Sequence, residues 1–600
     1  MNNISSKYHR QSPIKQLNLN QTLYSLVKNE NKYNLNGQAI GFLGYNKTYR
    51  ELLNEVDKLA DAYIKAGIKD GDTVAICTIS TPAVQQNLLA LNKIGATSKW
   101  IDLRSKGNEI IKNINESNCK TVVIFEELAP LFEKIVDETA VTRVLLSSPK
   151  DYLPLPIRLL ANLKDKQNGK LIEVPEDKRF SRFMDFMNSG NSNSEIIPAS
   201  FEKDKPTLVI QSSGSTGTPK SIVHTDYNFN SAVQKLAYTD LPFYKGKTVY
   251  VAVPPFIIYG LCNTIYTSLA LEMKAEMTPF VAENTVYDDL GKFDIPFGAP
   301  LHYRYIYTQI KELSSQVTEL IPKKDSKSKM ELKKVLIELE RVLKGLKRTD
   351  VLLSGGDKMT AEEITEMQTT FDRVIINGYG NNEVVGAAVV SPRYANKPGS
   401  IGIPLHGIEA EVFDPETNKQ LNQGELGELC LCTDNAFLEY ANNPEETEKI
   451  KIKHEDGKDW IHTGDLCIID EDGYITPKGR SRRTIIKDCF KICPDTIENV
   501  IQEIPFVKNC IVVGVDDEKL ISVPMAFIEI ENNYKNQFNE LLPQIEKVCE
   551  EKLPDYEIPS YFKEIDKIPY TTNNKQDFRL LEELGNEFVK DNLPKTLIKK

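Results

Sequence analysis

Residues 212–220 read SSGSTGTPK and directly follow the apolar, strand-like run Thr207–Ile210. Glycine lets a backbone approach a ligand closely, and hydroxyl and backbone N–H groups donate to phosphate oxygens. Lys220 adds a positive charge at the end of the stretch. A Walker A loop needs Gly immediately before its Lys, and Pro219 occupies that place. The stretch therefore predicts a phosphate-binding loop of another kind, with a solvent-facing turn as the alternative.

The composition predicts a large multidomain enzyme and excludes several other classes. The chain has 600 residues and a net charge of −11, which argues against a general nucleic-acid binder. Neither a signal-peptide core nor an apolar run of about 18 residues is evident, so we expect no transmembrane segment and a cytoplasmic location. The ten cysteines include no CxxC pair, and neither Cys430 with Cys432 nor Cys489 with Cys493 has His at zinc-like spacing. We expect reduced thiols.

Short β-branched runs alternate with longer helix-like segments, which predicts an α/β fold. After Gly473 the chain becomes basic and turn-forming in GYITPKGRSRR, and about 120 residues follow, enough for a small domain. We expect a large N-terminal domain of stacked sheets and helices at 1–480 and a small α+β domain at 481–600. The predicted strands include Thr73–Ile79, Thr121–Phe125, Val141–Leu146, Val249–Val253, Val351–Leu353 and Val374–Ile376.

Two segments predict amphipathic helices. Residues 323–348 contain ten Lys or Arg against four acids, with apolar residues at helical spacing. A second helix is expected after Pro156, in PIRLLANLKDK. We expect both to pack their apolar faces on the protein, and the alternative is docking to an acidic partner or a membrane surface.

Three further segments carry ligand-binding chemistry. NGYGNNE at 377–383 follows a predicted strand, so Tyr379 is placed to stack on a purine and Glu383 to bind Mg²⁺. In WIHTGD, Asp465 can accept hydrogen bonds from both ribose hydroxyls, and Arg480 follows at a distance that suits the same ligand. Near the end, Lys575 stands on a polar turn in IPYTTNNKQDF.

Taken in order, these segments resemble the acyl-adenylate-forming superfamily: acyl-CoA synthetases, fatty acyl-AMP ligases, adenylation domains of peptide synthetases and beetle luciferase. The resemblance covers nearly the whole chain. Supporting stretches are TYREL at Thr48, GIKDGD at Gly67, SGGDKM at Ser354, GSIGIP at Gly399, GELGEL at Gly424 and LPDYEIP at Leu553.

The resemblance implies that a carboxylate attacks the α-phosphate of ATP·Mg²⁺, so that acyl-AMP forms and pyrophosphate leaves, and that a thiol then takes the acyl group. It also implies a C-terminal lid that rotates about a hinge at Arg482 between the two steps. Lys220, Glu383 and Lys575 would be catalytic, with Glu383 as the metal ligand and Lys575 supplied by the lid. The implied nucleotide-binding residues are Ser212, Ser213, Gly214, Ser215, Thr216, Gly217, Thr218, Gly355, Gly356, Asn377, Gly378, Tyr379, Gly380, Asn382, Asp465 and Arg480.

By the same resemblance, the acid pocket is expected to be apolar. Phe256 and Tyr259 would line it with rings, while Gly260 and Gly386 would leave space for the substrate. Ile257 stands where many acyl-CoA synthetases have His and where amino-acid-activating relatives have Asp, which disfavours an α-amino acid. An apolar or aromatic acid fits these residues best.

The acceptor thiol is open at this point, as CoA or as the phosphopantetheine of a separate, acidic acyl carrier protein. Stand-alone size favours CoA. The carrier is favoured by Cys489 at a position that is Gly in CoA ligases, by Ile486, and by the basic segment 323–348. A catalytically silent nucleotide-binding scaffold is a further alternative, and retention of Glu383 and Asp465 argues against it. No residue of this sequence distinguishes a luciferase-like oxygenase, so that function is a remote alternative.

Overall fold

The computed structural model divides into two compact units. The larger comprises residues 1–103, 107–211 and 221–479, and the smaller comprises residues 480–600 together with the short stretches 104–106 and 212–220. Each unit is described by itself. The residues that the structure describes are 15–212, 220–279, 293–356, 359–415, 417–480, 485–487, 490–492, 494–517, 520–535, 537–569 and 576–592.

The first sheet of the larger unit is mainly parallel. Its parallel centre places the carboxyl ends of several strands along one edge, which is where α/β sheets bind ligands. Antiparallel strands extend it at both ends. In spatial order its described strands are Ile403–Pro404, Val389–Val390, Ile375–Tyr379, Leu352–Gly355, Ile295–Gly298, Thr248–Val251, Lys274–Met277, Gln38–Phe42 and Tyr45–Thr48.

The second sheet contains the strands on either side of SSGSTGTPK. Thr121–Phe125 is buried along its whole length, as expected for a parallel strand with both faces covered. The described strands, again in spatial order, are Glu439–Tyr440, Lys220–Thr225, Pro206–Ser212, Thr97–Trp100, Thr73–Cys77, Thr121–Phe125, Arg143–Ser147 and Phe180–Arg182.

A third, antiparallel sheet completes the larger unit. It carries the WIHTGD segment on a long strand, Asp459–Ile469, which pairs with Leu426–Cys432. The described strands are Glu409–Phe413, Leu426–Cys432, Asp459–Ile469 and Lys451–Lys453, with Ile475–Arg480 paired to the third of these.

The smaller unit packs helices on both faces of one sheet. Along Val507–Asp517, Cys510 and Val512 belong to one apolar cluster and Ile511 and Val513 to another, because side chains alternate across a strand. The other described strands are Ile485–Lys487, Phe490–Ile492, Ile521–Ile530 and Tyr561–Glu564, and the helices are Pro494–Gln502, Phe538–Lys552 and Phe578–Asn592.

Helices of the larger unit cover its two large sheets, which confirms the α/β class. Tyr49–Lys65 shows why such a helix begins where it does: the Thr48 hydroxyl accepts from the Glu51 N–H, and the Glu51 carboxylate accepts from the Thr48 N–H. The other described α-helices are Leu23–Glu30, Ala83–Lys93, Gly107–Glu116, Ala129–Ile135, Leu155–Gln167, Phe183–Asn188, Asp226–Ala237, Thr267–Ala270, Pro300–Leu320, Ser326–Arg348, Ala361–Phe371 and Pro444–Ile450.

The two predicted amphipathic helices both form, but they pack differently. The basic helix, Ser326–Arg348, buries Val335, Val342 and Leu346, as expected. The helix Leu155–Gln167, called the outward helix below, buries none of its residues. The prediction that its apolar face packs on the protein is therefore wrong. In the described part of the chain, no helix is both long and apolar enough to cross a membrane.

Candidate nucleotide and acid site

The carboxyl ends of two neighbouring strands bring together the glycines expected at the nucleotide site. Ser354 is in register with Asn377, and Gly355 with Gly378. A Cβ at Gly355 would lie 3.1 Å from the Gly378 carbonyl oxygen and 3.3 Å from the Tyr259 ring. A larger residue would crowd the neighbouring strand and the Tyr259 ring, so glycine allows these elements to pack closely.

Tyr379 and Asp465 form a direct pair. The Tyr379 hydroxyl donates to Asp465 Oδ2 at 2.6 Å, although 86 residues separate them in sequence. Burial, and then the neighbouring carboxylate, raises the pKa of Tyr379 well above its usual value. Tyr379 therefore stays a neutral donor, and its ring is fixed by a carboxylate from the third sheet.

Two residues that the sequence did not single out support Asp465. The Gly464 N–H donates to Glu428 Oε1 at 2.8 Å, and the other oxygen of Glu428 lies 3.0 Å from His462 Nδ1. Glu428 and His462 are buried. They fix the backbone immediately before Asp465. The His in WIHTGD was the available sequence signal, but its partner comes from another strand.

Asn382 connects the phosphate side of the site with the acid side. Its Nδ2 donates to the carbonyl oxygen of Gln211 at 3.4 Å, and its Oδ1 accepts from the Ile258 N–H at 3.4 Å. Gln211 precedes the SSGSTGTPK stretch, and Ile258 stands between Ile257 and Tyr259, two residues of the expected acid pocket. Asn382, which the resemblance implies to be a nucleotide-binding residue, thus joins these two segments.

Glu383 is oriented by a tyrosine from the second sheet. The Tyr440 hydroxyl donates to Glu383 Oε1 at 2.8 Å. Tyr440 lies on Glu439–Tyr440, which pairs with the strand Lys220–Thr225. This pairing carries the Glu383 carboxylate toward the strand that begins at Lys220. Lys220 is buried.

The two ends of the predicted phosphate loop are joined by a side-chain hydrogen bond. Gln211 Nε2 donates to the Ser221 hydroxyl at 2.8 Å, across two neighbouring strands. Residues 213–219, Arg482, Cys489 and Lys575 lie outside the described residues, as do the side chains of Ser212 and Arg480. Their roles stay predictions.

Rings do occur in the expected acid pocket. Phe256 is buried, and the Tyr259 ring lies edge-on to Phe297 with centroids 5.9 Å apart. The Tyr259 hydroxyl donates to the carbonyl oxygen of Gly298 at 3.1 Å, so this ring is held at the end of a strand of the first sheet. Ile257 is half-buried and packs against the main core.

The two glycines expected to leave space for the acid do not do so. A Cβ at Gly260 would lie 2.1 Å from the Pro254 carbonyl oxygen. A Cβ at Gly386, where φ is +80°, would lie 3.0 Å from both the Ala232 Cβ and the Asn263 Oδ1. Both positions need glycine because protein atoms already fill the volume. Close packing at both positions, together with the positive φ at Gly386, explains these glycines better than space for a substrate does.

The prediction of reduced thiols is confirmed for the described cysteines. No disulfide forms among the eight described cysteines, as expected. However, folding brings His462 to Cys430, and ligand atoms of Glu428, Cys430 and His462 lie within 4.8 Å of one another. The Glu428 oxygens already contact His462 and Gly464, so hydrogen bonding accounts for this group.

Comparison with known proteins matches the two parts of the chain to two parts of one family. The AMP-binding enzyme family matches residues 28–441, and the AMP-binding enzyme C-terminal domain matches residues 496–575. Long-chain-fatty-acid–CoA ligase of Bacillus subtilis (strain 168) is 24% identical over 579 residues, covering 95% of this chain and 96% of that ligase. Fatty acid–[acyl-carrier-protein] ligase ScoC of Streptomyces coeruleorubidus is 24% identical over 564 residues, covering 92% and 93%.

Solved structures share the fold. The amide bond synthetase McbA of Marinactinospora thermotolerans superposes with a TM-score of 0.72 at 19% identity, covering 94% of this chain and 99% of that one. A double mutant of o-succinylbenzoate CoA synthetase from Bacillus subtilis gives 0.71 at 18% identity, covering 94% and 98%. Since the first family alone matches well over half of the residues, the chain belongs to the AMP-binding enzyme family and is an acyl-adenylate-forming ligase.

Proposed function

We propose that this ligase activates an apolar carboxylic acid with ATP and passes the acyl group to the thiol of CoA. The supporting observation is the position of Asn382, which hydrogen-bonds both to the strand leading into the phosphate loop and to the backbone of the acid pocket. One side chain thus sets the distance between the two segments that have to hold the reacting groups.

In the first step, a carboxylate oxygen attacks the α-phosphorus of ATP, the bond to the β-phosphate breaks, and pyrophosphate leaves. Such a transfer needs positioning and neutralisation of spreading negative charge more than covalent catalysis. We assign adenine to Tyr379, ribose to Asp465 and Arg480, and the phosphates to Ser212–Thr218 with Lys220. Lys575 supplies a mobile positive charge during adenylation. We assign residues 1–480 to the adenylating domain and residues 481–600 to the mobile lid.

The residues fit a bound magnesium ion. Mg²⁺ prefers a few oxygen ligands plus water, and the Glu383 carboxylate is held in one orientation by Tyr440. When bound, the ion would neutralise charge on the phosphate oxygens. Glu383 would hold it.

The identity of the acid is proposed from the pocket and the relatives together. Phe256, Ile257 and Tyr259 present apolar and aromatic surface, and none of them carries a carboxylate that could form an ion pair with an α-ammonium group. The curated relatives named above are ligases of fatty acids. Fatty acids are therefore the first class to test, and aromatic acids the second.

A carrier protein is the second candidate acceptor. It is supported by the relative that is a fatty acid–[acyl-carrier-protein] ligase and by the basic helix, much of whose cationic face is exposed. Carrier proteins are acidic, so charge would favour their approach. Supplying CoA or a holo carrier protein, whose phosphopantetheine thiol is free, to preformed acyl-AMP distinguishes the two acceptors; in each case the thiol attacks the acyl carbonyl and AMP leaves.

The test of adenylation is carboxylate-dependent ATP–pyrophosphate exchange without any thiol, across short, medium and long fatty acids, aromatic acids and amino acids. We expect exchange with one apolar class. Asp465→Asn should lower exchange by about 10- to 100-fold, because it weakens a charge-assisted contact. The control is Asp459→Asn, which changes an exposed carboxylate at the start of the same strand and should leave the exchange rate unchanged. If no acid supports exchange while ATP still binds, the catalytically silent nucleotide-binding scaffold would be favoured.

The lid assignment has a separate test. Lys575→Ala should suppress acyl-AMP formation by orders of magnitude and leave the reaction of preformed acyl-AMP with its thiol intact. Equal loss of both steps would contradict the assignment.

A further inference from the structure

The outward helix presents its apolar residues to solvent. Leu155, Ile157, Leu159, Leu160 and Leu163 are each between 52% and 66% exposed, and no residue of the helix is buried. At 100° per residue, Leu155, Leu159, Leu160 and Leu163 fall on one side of the helix. An ordinary surface helix turns such a stripe toward the core.

The opposite side of this helix is polar and lies against the protein. Arg158, Asn162 and Asp165 are half-buried. Lys150 Nζ lies 2.9 Å from Asp165 Oδ2 and 3.2 Å from Glu126 Oε1, so an ion pair fixes which side faces inward. The orientation follows from these contacts, and the leucines are exposed as a consequence.

The charges around the apolar stripe are mainly positive. Arg158, Lys164, Lys166 and Lys170 accompany it, and the single acid of this segment, Asp165, is paired inward with Lys150. Lys164, Lys166 and Lys170 are exposed. The whole chain carries −11, so this is a local departure from the average.

An apolar stripe flanked by lysines matches the interface of an anionic lipid bilayer. Leucines enter the boundary between head groups and acyl chains, while lysines contact the negative head groups. Leu155–Gln167 is a 13-residue helix and no described helix can span a membrane, so the surface is where it would lie. We propose that the outward helix docks this protein, apolar side first, on an anionic membrane surface.

The test is flotation of the full-length protein with vesicles of phosphatidylcholine containing about one third phosphatidylglycerol, at low salt where electrostatic attraction is strong. We expect the wild-type chain to float with these vesicles and less with pure phosphatidylcholine. The variant Leu159→Glu/Leu160→Glu should lower the bound fraction at least tenfold, and Lys164→Glu/Lys166→Glu should lower it on anionic vesicles alone.

The matched control is Leu336→Glu/Ile337→Glu on the basic helix, where both residues are also exposed, at 45% and 56%. It should float like the wild type. Pyrophosphate exchange, or thermal unfolding if no acid has been found, checks that every variant is folded. Absence of wild-type binding, or equal loss in the control, overturns the proposal. The proposal is also overturned if the wild-type chain is a dimer and the variant Leu159→Glu/Leu160→Glu is a monomer, because a second copy of the chain would then cover the stripe.

Discussion

The outward helix and the basic helix share a similar amphipathic pattern but pack in opposite ways. Both combine lysines with leucines at helical spacing, and both lie in the larger unit. The basic helix buries Val335, Val342 and Leu346, whereas the outward helix buries nothing. An amphipathic pattern thus predicts a helix with two unlike faces, but it does not predict which face meets the protein.

The neighbours of each helix explain the difference. The basic helix packs against Pro300–Leu320 and shares an apolar cluster with Tyr303 and Ile306, so its apolar side has a partner. The outward helix instead meets Lys150, whose ammonium group also pairs with the buried carboxylate of Glu126. The Lys150 cation requires anionic partners, and Asp165 on the polar side of the helix supplies one.

The largest expected effect is at the buried side of the basic helix. Val342→Asp should lower the free energy of unfolding by about 3–5 kcal/mol, because it places an unpaired carboxylate in an apolar cluster. Val342 is 1% exposed. Urea unfolding measures the change, with the exposed Ile337→Asp as control. Equal effects of the two substitutions would contradict the assigned orientation of this helix.

The next effect is at the polar side of the outward helix. Lys150→Ala should lower the free energy of unfolding by about 1–3 kcal/mol, because it removes a cation shared by Glu126 and Asp165. Amide exchange should also become faster across Leu155–Gln167. Lys323→Ala, which breaks an exposed pair with Glu319, should change stability by less than about 0.5 kcal/mol. If both variants behave alike, the ion pair does not orient the helix.

A smaller, pH-dependent effect is expected at Asp151, just before the outward helix. Burial raises the pKa of its carboxyl to about 6 in the folded protein, against roughly 3.9 when unfolded. The folded state therefore binds the proton more tightly, and this group stabilises the fold increasingly as pH falls from about 6 to 4. Asp151→Asn keeps an acceptor for the Ser148 N–H. It should be about 1 kcal/mol more stable than wild type at pH 7.5, and this advantage should vanish by about pH 4. Thermal unfolding at both pH values checks this, and an advantage that persists at low pH contradicts it.

The smallest effect is expected at the apolar side of the outward helix. Leu160→Asp should change the free energy of unfolding by less than about 0.5 kcal/mol, because the side chain is already 66% exposed. Pyrophosphate exchange should be unchanged as well. A loss above about 2 kcal/mol would mean that the stripe is packed in solution.

Much of the larger unit could be predicted locally. The runs beginning at Thr73 and Thr121 form strands at those residues, because β-branched residues between turns are a short-range signal. NGYGNNE and WIHTGD could be singled out as candidate site segments from their residue types and from the resemblance to the family. The pairing of Tyr379 with Asp465 was not readable, since two different sheets have to meet for the hydroxyl to reach the carboxylate.

The sequence by itself determined the family, the order of strands and helices, and the residue types available at the site, because these depend on local patterns and short motifs. Only the tertiary structure decided that Gly260 meets the Pro254 carbonyl instead of leaving room for a substrate. It also decided that Glu428 supports Asp465 through Gly464, and that the leucines of the outward helix face solvent. Each of these depends on which atoms the folded chain brings into the neighbouring volume, and local sequence patterns carry no information about that.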